Sequence, residues 1–422
     1  MDFFKIITIL VVVSASFAYI NERFVKLPYT IGAMVITIAM SMALTITGWV
    51  DPSLTNPLKH LISQIDFSRV LLEILLSFLL FAGALHTNFD QLKVQRWPIL
   101  AFATFGVTVS TFLIGGIMYF TLPLFGLNIE FIHCLLFGAL ISPTDPIAVL
   151  GILKKVGVPK ILETKIVGES LFNDGIGVVV FLTIFAIAQT GIDQVTVGEI
   201  GMLLLEEVVG GTILGLILGF IAYYLMKSID DYSVEVLITI AIVMGGYLLA
   251  QTMHMSGPLA VVVAGLIVGH DTVRDSSMSE TTEIYIDKFW ETWDALLNGI
   301  LFVLIGLEIL VLPFEKAYVL AGLLAIPIIL FARWVSLSIP ILIWQKKLQF
   351  VPNTNLMMTW GGLRGGISIA LALTLTQDMN RDPFLIITYL VVIFSIIVQG
   401  LTIGKVADRL IGEHKVEDAG HH

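Results

Sequence analysis

Long apolar runs recur along the chain, separated by short polar stretches that collect the charged residues and many of the prolines. A membrane-spanning helix needs about 20 predominantly apolar residues. On that length the runs fall into thirteen segments, at 3–20, 28–48, 69–87, 97–123, 130–152, 164–189, 199–226, 233–252, 257–271, 293–312, 317–344, 354–377 and 384–409. The ninth is short, and the break at Ser256-Gly257-Pro258 makes the eighth and ninth the least sharply divided pair. Two connections are long enough to hold surface structure. One is 50–68; the other, 272–292, is polar and acidic before it reaches Phe289, Trp290 and Trp293, and reads as an interfacial helix. Lys5, the run Ile6–Val13 and Ser16-Phe17-Ala18 loosely fit a signal peptide, but the weak basic start favours an uncleaved first helix.

Two of the segments are interrupted. The fifth contains Leu140-Ile141-Ser142-Pro143-Thr144-Asp145-Pro146, where two prolines that cannot donate a helical hydrogen bond flank an acid. The twelfth contains Trp360-Gly361-Gly362-Leu363-Arg364-Gly365-Gly366, four glycines around an arginine. Pairing spans 1–6 with spans 8–13, with span 7 as a linker, matches the fifth to the twelfth. An offset of seven crossings inverts their orientation. Interrupted helices at matching positions of inverted halves point to a transporter's midplane site, where freed backbone groups line a cavity. The expected fold is therefore an all-α polytopic membrane protein with about thirteen transmembrane helices, an inverted repeat and two crossed discontinuous helices, spans 5 and 12.

Composition agrees with a bilayer protein: 57% of the 422 residues are hydrophobic and 13% charged, against about a quarter charged in soluble domains. The formal charge of −10 says little about partners, because the spans separate the charges in space. The single cysteine, Cys134, excludes a disulfide framework and a Cys-rich metal cluster. With thirteen crossings and the N-terminus outside, sixteen lysines and arginines fall inside and five outside, while Arg333 and Arg364 fall within spans. That bias places the C-terminus in the cytoplasm. The sequence has no phosphate loop, no TVGYG-like filter, no H-E-x-x-H and no G-x-S-x-G on a candidate strand. An ATP-driven pump, a potassium channel of that type and an enzyme are all disfavoured, and neither a cofactor nor a nucleic-acid partner is expected.

The chemistry gathers in Gly168-Glu169-Ser170-Leu171-Phe172-Asn173-Asp174-Gly175-Ile176-Gly177. An ionisable group at membrane depth costs a few kcal/mol or more, so two acids here need a reason. Glu169 and Asn173 are i and i+4 on a helix, as are Ser170 and Asp174, so all four can face one polar cavity. Asp145 and Asp174 are the leading pair. Carboxylates at a broken helix bind cations through oxygen, with help from backbone carbonyls and the hydroxyls of Thr144 and Ser170. A carboxyl there holds either a proton or a metal ion, and that competition is itself an exchange mechanism. The plainer reading, two capping or packing acids, has to meet the cost of buried charge. Glu169 and Arg364, one in each half, are natural partners for a structural ion pair; alternatively Arg364 binds an anionic substrate or acts directly on Asp174. Asn173, which cannot ionise, can hydrogen-bond a carboxylate and hold the broken helices in register. Glu73, Glu206, Glu207, Glu308 and Arg333 are weaker candidates, better read as snorkelling or as polar contacts between helices.

Three stretches together resemble the NhaP-type monovalent cation/proton antiporters, bacterial and archaeal relatives of animal sodium/hydrogen exchangers. They are Ser142-Pro143-Thr144-Asp145-Pro146-Ile147-Ala148-Val149, Gly168–Gly175 and Gly361-Gly362-Leu363-Arg364-Gly365. The resemblance implies a homodimer in the plasma membrane. Dimerisation helices 1–3 would occupy 1–90, core helices 4–6 would occupy 91–192, and a linker with helices 7–10 would occupy 193–312, including the interfacial segment 272–292. Core helices 11–13 would occupy 313–412, and 413–422 is a polar tail ending in a tag remnant, His421-His422. It implies that Asp174 carries ion and proton, that Thr144, Asp145 and Ser170 complete the metal-binding site, and that Glu169 and Arg364 form the family's ion pair. It also implies that Asn173 before Asp174 marks electroneutral exchange of one Na⁺ or Li⁺ for one H⁺. One departure stands out. Many relatives carry an acid in the third span, where this chain has Ala82, and Glu73 is about 13 Å away along a helix. That opens sodium-versus-potassium preference. The alternatives are a K⁺/H⁺ antiporter of the same fold, a cation channel or leak pathway, and a carrier of small organic anions held by Arg364.

Overall fold

The computed structural model describes residues 3–51, 70–87, 89–145, 158, 160–191, 197–310, 312–344, 350 and 353–419. The described chain is all-helical. In order it forms α1 (Phe3–Ile20), α2 (Tyr29–Val50), α3 (Leu76–Leu85, entered through a wide π-helical turn, Val70–Leu75), the short α4 (Phe89–Val94), α5 (Arg96–Thr121), α6 (Phe131–Ile141), α7 (Lys160–Thr190), α8 (Val197–Lys227) and α9 (Tyr232–Thr252). There follow α10 (Gly257–Val268), the short α11 (Asp271–Ser277), α12 (Glu280–Glu308), α13 (Lys316–Trp344), the half-helices α14 (Thr354–Gly361) and α15 (Gly366–Leu373), α16 (Arg381–Phe394) and α17 (Gly400–Ala419).

Among the described residues, eight helical stretches are long and apolar enough to cross a membrane, and the α14–α15 pair, bent by 52° at its break, is a ninth if counted as one span. Four shorter apolar helices lie in the other expected segments, so every one of the thirteen apolar runs contains a helix. The chain is thus a multi-pass helical membrane protein. Bilayer-facing side chains stay apolar for lack of water, which explains why α8 carries Leu205, Ile213, Ile217, Phe220 and Ile221 exposed on its surface.

The helices pack in two groups. Helix α5 lies along α6, α7 and α13, and α13 packs on α14 and α16. In the other group α10 packs on α3, α8 and α9, while α12 packs on α1, α2 and α9. Small residues set these distances. A Cβ on Gly138 of α6 would come within 2.3 Å of the Thr111 carbonyl oxygen of α5, so glycine alone lets the two backbones touch. Helix α7 is the seam: Gly168 fits against Ile99 of α5, and Gly175, two turns on, fits against Leu259 of α10.

One expectation changes. The segment 272–292 is not a separate interfacial helix. It divides into α11 and the first three turns of α12, which runs unbroken from Glu280 to Glu308. Trp290 is fully buried against Phe81, with ring centroids 4.8 Å apart, and its Nε1 donates to Thr239 Oγ1 at 3.1 Å. The aromatic cluster is therefore a packing core between α3, α9 and α12. Arg274 on α11 holds the start of α12, donating from Nη2 to Asp287 at 2.8 Å and from Nη1 to Glu283 at 3.0 Å. These two acids keep its guanidinium above the ordinary arginine range, although burial acts the other way.

Candidate functional site

Helix α6 stops at Ile141 because the residues that follow include Pro143, which has no N–H to continue the ladder. Ser142 caps the stop by donating its hydroxyl back to the Gly138 carbonyl at 2.6 Å. The chain then runs extended through Pro143, Thr144 and Asp145. The other break, Gly362–Gly365, joins α14 to α15. The breaks meet: the Asp145 N–H donates to the Leu363 carbonyl at 2.8 Å, and the Arg364 N–H donates to Ser395 Oγ at 2.8 Å. A Cβ on Gly365 would lie 2.4 Å from Asp145 Oδ2, so only glycine admits the carboxylate at this crossing. The second half of span 5, with Pro146–Val149 of the motif, lies outside the described residues.

Helix α7 presents its polar residues to the first break. Asn173 Oδ1 accepts the Thr144 N–H at 3.1 Å, and its Nδ2 donates to Thr144 Oγ1 and to Glu169 Oε1, each at 2.7 Å. The hydroxyls of Thr144 and Ser170 share a hydrogen bond of 2.8 Å. The amide thus replaces the backbone partners that Thr144 loses by leaving the helix. Gly177 allows the break to sit this close, since a Cβ there would meet Pro143 Cγ at 2.3 Å.

Asp174 is treated differently. It is 4% exposed, and its buried Oδ1 has no hydrogen-bond partner. Asp145, Glu169 and Arg364 are the charged groups within electrostatic reach of it. Asp145, half-buried, sits at the crossing itself. The structure therefore brings Thr144, Asp145, Glu169, Ser170, Asn173, Asp174 and Arg364 into one region. Burial of an anion with an unsatisfied oxygen is costly, and a bound proton or cation removes that cost.

The expected Glu169–Arg364 pair is corrected. Glu169, 1% exposed, takes a bidentate pair from Arg333 of α13, with Nη1 on Oε1 at 2.7 Å and Nη2 on Oε2 at 2.8 Å. Arg364 donates instead to the carbonyls of Ser142 and Pro143. The physical reason is the break itself. The end of α6 leaves carbonyls without intrahelical donors and with the negative end of a helix dipole, and a guanidinium satisfies both needs. Arg364 thus ties one break to the other, while Arg333 ties α13 to α7. Gly362 makes room for Arg333: a Cβ there would sit 2.6 Å from its Nε. The signal for Arg333 was present in the sequence. It stands well inside the apolar run 317–344, too deep to be read as a snorkelling end residue.

The weaker candidates scatter. Glu206 is exposed and Glu207 half-buried on α8, and Glu308 is buried at the end of α12. The side chain of Glu73 lies outside the described residues. Ala82 is buried in α3, and its carbonyl contacts His86 Nδ1 at 2.8 Å.

Buried acids and arginines gathered where two interrupted membrane helices meet define a secondary transporter by build. Comparison with known proteins specifies which kind. The sodium/hydrogen exchanger transmembrane family model matches residues 12–409. The Na⁺/H⁺ antiporter NhaP of Pseudomonas aeruginosa is 47% identical over 406 residues, covering 94% of this chain and 95% of the relative. The Na⁺/H⁺ antiporter NhaG of Bacillus atrophaeus is 37% identical over 384 residues, covering 90% and 71%. In structure, the sodium proton antiporter MjNhaP1 of Methanocaldococcus jannaschii superposes with a TM-score of 0.75 at 19% identity, covering 97% of this chain and 98% of that one. The chain belongs to the sodium/hydrogen exchanger family.

Proposed function

We propose that this protein is a secondary antiporter that exchanges Na⁺ or Li⁺ for H⁺, one for one and without net charge movement. The observation that carries the reading is Asp174 Oδ1, a buried carboxylate oxygen with no protein partner, set five residues along α7 from a carboxylate that is fully paired. The relatives named as Na⁺/H⁺ antiporters support the substrate class.

In this reading Asp174 releases its proton to one side and takes a cation from that side. Thr144, Ser170 and Asp145 supply the further oxygens. Asn173 adds no charge, and Glu169 is neutralised by Arg333, so proton and cation leave the same net charge at the site. A site neutral when loaded crosses the low-dielectric interior more cheaply than a charged one. The moving part is the group of α5–α7 with α13–α17, sliding against α1–α3 with α8–α12. That second group also supplies the homodimer contact. The N-terminus faces outside and the C-terminus the cytoplasm, as the lysine and arginine distribution requires.

The test is transport by reconstituted protein in vesicles carrying a pH dye, scanned over Na⁺, Li⁺ and K⁺ at several pH values. Na⁺- and Li⁺-driven proton flux is expected, unaffected by an imposed membrane potential. The half-saturating Na⁺ concentration rises as pH falls, because protons then occupy the carboxylate that the cation needs. Sodium flux indifferent to the proton gradient would instead identify a channel. A potassium preference would assign the missing third-span acid at Ala82 a part in selectivity, and steep voltage dependence would overturn the one-for-one ratio.

A further inference from the structure

A third buried carboxylate lies on a helix of the other packing group. Asp294 is midway along α12, Glu280–Glu308, and its Oδ1 is buried without a hydrogen-bond partner. Among the described residues no arginine or lysine pairs with it. Its companions are Asn298, one turn on, whose Nδ2 donates to the Asp294 carbonyl at 3.0 Å, and Tyr29 of α2, within electrostatic reach. The other charged group that acts on it is Asp145. Nothing in the packing of α12 calls for an anion at this position, because the same stripe of the helix is otherwise apolar or amide.

The register of α12 says where the carboxylate stands relative to the ion site. Asp294, Asn298 and Leu301 are spaced i, i+4 and i+7 and lie on one face. Leu301 packs on Gly366, where a Cβ would come within 2.5 Å of its Cδ1, and Gly366 directly follows the glycine that admits Asp145. Asp294 is therefore set about 10 Å along the helix from the level of the crossing. The displacement is towards the N-terminal end of α12, which is the cytoplasmic end in the orientation proposed above.

We infer that Asp294 is an entry residue for the transported cation: a fixed negative charge, on the group of helices that does not carry the site, that draws a monovalent cation from the cytoplasmic side to the Asp145–Asp174 pair. It rests on the antiport reading above and adds to it a residue from outside the ion-carrying helices. Such a charge acts on affinity, through the field it adds along the approach, and not on the translocation step. It also acts from one side of the membrane only.

The experiment measures Na⁺-driven proton flux in vesicles as a function of Na⁺ on each side, for the wild type, Asp294→Asn, Asp294→Ser and Asp294→Glu. Folding of each variant is checked by its thermal melt in detergent. Removing the charge is expected to raise the half-saturating Na⁺ on the cytoplasmic side about tenfold, the size of one unit charge acting over roughly 10 Å at an effective dielectric near 20. The maximal rate stays within about twofold, the opposite side is unaffected, and Asp294→Glu restores the affinity. The serine variant removes the same charge with a smaller side chain should asparagine fail to fold. An unchanged half-saturation on the cytoplasmic side, a fall in maximal rate at constant half-saturation, or failure of glutamate to rescue overturns the inference. If the wild type shows no proton-coupled cation flux at all, it is the antiport reading that fails, and the two failures are told apart by that control.

Discussion

Glu169 and Asp174 stand five residues apart on α7, both nearly inaccessible, and the structure treats them oppositely. Glu169 receives two charge-assisted bonds from Arg333 and one from Asn173. Asp174 is left with a buried oxygen that no protein group satisfies. A bidentate arginine fixes the ionisation of its carboxylate and leaves it nothing further to bind. An unpartnered carboxylate keeps its capacity for a proton or a metal ion. The difference separates scaffold from cargo site along little more than one turn of helix, and it follows from which neighbour reaches each acid.

The largest effect that distinguishes the two acids is a split between transport and stability. Asp174→Asn removes the charge without removing volume. Proton-coupled Na⁺ flux in reconstituted vesicles is expected to fall to background, with a detergent melt at or above the wild-type temperature. Glu169→Ala leaves Arg333 buried and unpaired. Breaking a buried pair costs ~3–5 kcal/mol, so this variant should lose folded protein before it loses mechanism. Arg333→Ala should match it, and the double variant should recover part of the loss. Equal stability losses for Asp174→Asn and Glu169→Ala would erase the distinction between the two acids.

The next effect tests the break. Gly365→Ala pushes a methyl group into Asp145 Oδ2, with backbone on both sides and no flexible chain end to yield. Transport is expected to drop at least tenfold, while the α14–α15 half-helices still form. Wild-type flux in this variant would show that Asp145 does not need the glycine. The smallest effect lies far from both acids. Asp231 caps α9, accepting the Ser233 N–H at 2.9 Å and the Val234 N–H at 3.2 Å. Asp231→Ala should cost about 1 kcal/mol of stability and leave the half-saturating Na⁺ unchanged, which makes it the control for general destabilisation.

Much of the fold was legible from hydropathy because a bilayer leaves few choices. Each apolar run must satisfy its own backbone, and a helix does so within one segment. The breaks were legible for the same reason: prolines at 143 and 146, and glycines at 361, 362, 365 and 366, cannot be neutral inside a span. Helical spacing also placed Glu169, Ser170, Asn173 and Asp174 on adjoining rows. Partnership was not legible. Either arginine could have faced Glu169, and only packing put Arg333 there and turned Arg364 to the carbonyls of the broken helix. Asp294 escaped notice because it sits beside Trp293 in a stretch whose aromatic residues resemble a membrane interface.

The sequence by itself determined an all-helical, multi-pass membrane protein with two interrupted spans and a costly polar patch at Gly168–Gly177. Those are local consequences of hydropathy, helical period and the chemistry of proline and glycine. The tertiary structure alone decided which acid is neutralised, which is left open, and that Asp294 of the other packing group faces Asp145. Those outcomes depend on contacts between residues more than a hundred positions apart, such as Glu169 with Arg333 and Ser142 with Arg364. Such contacts follow from how close the small residues let the helices approach, and no one segment carries that information.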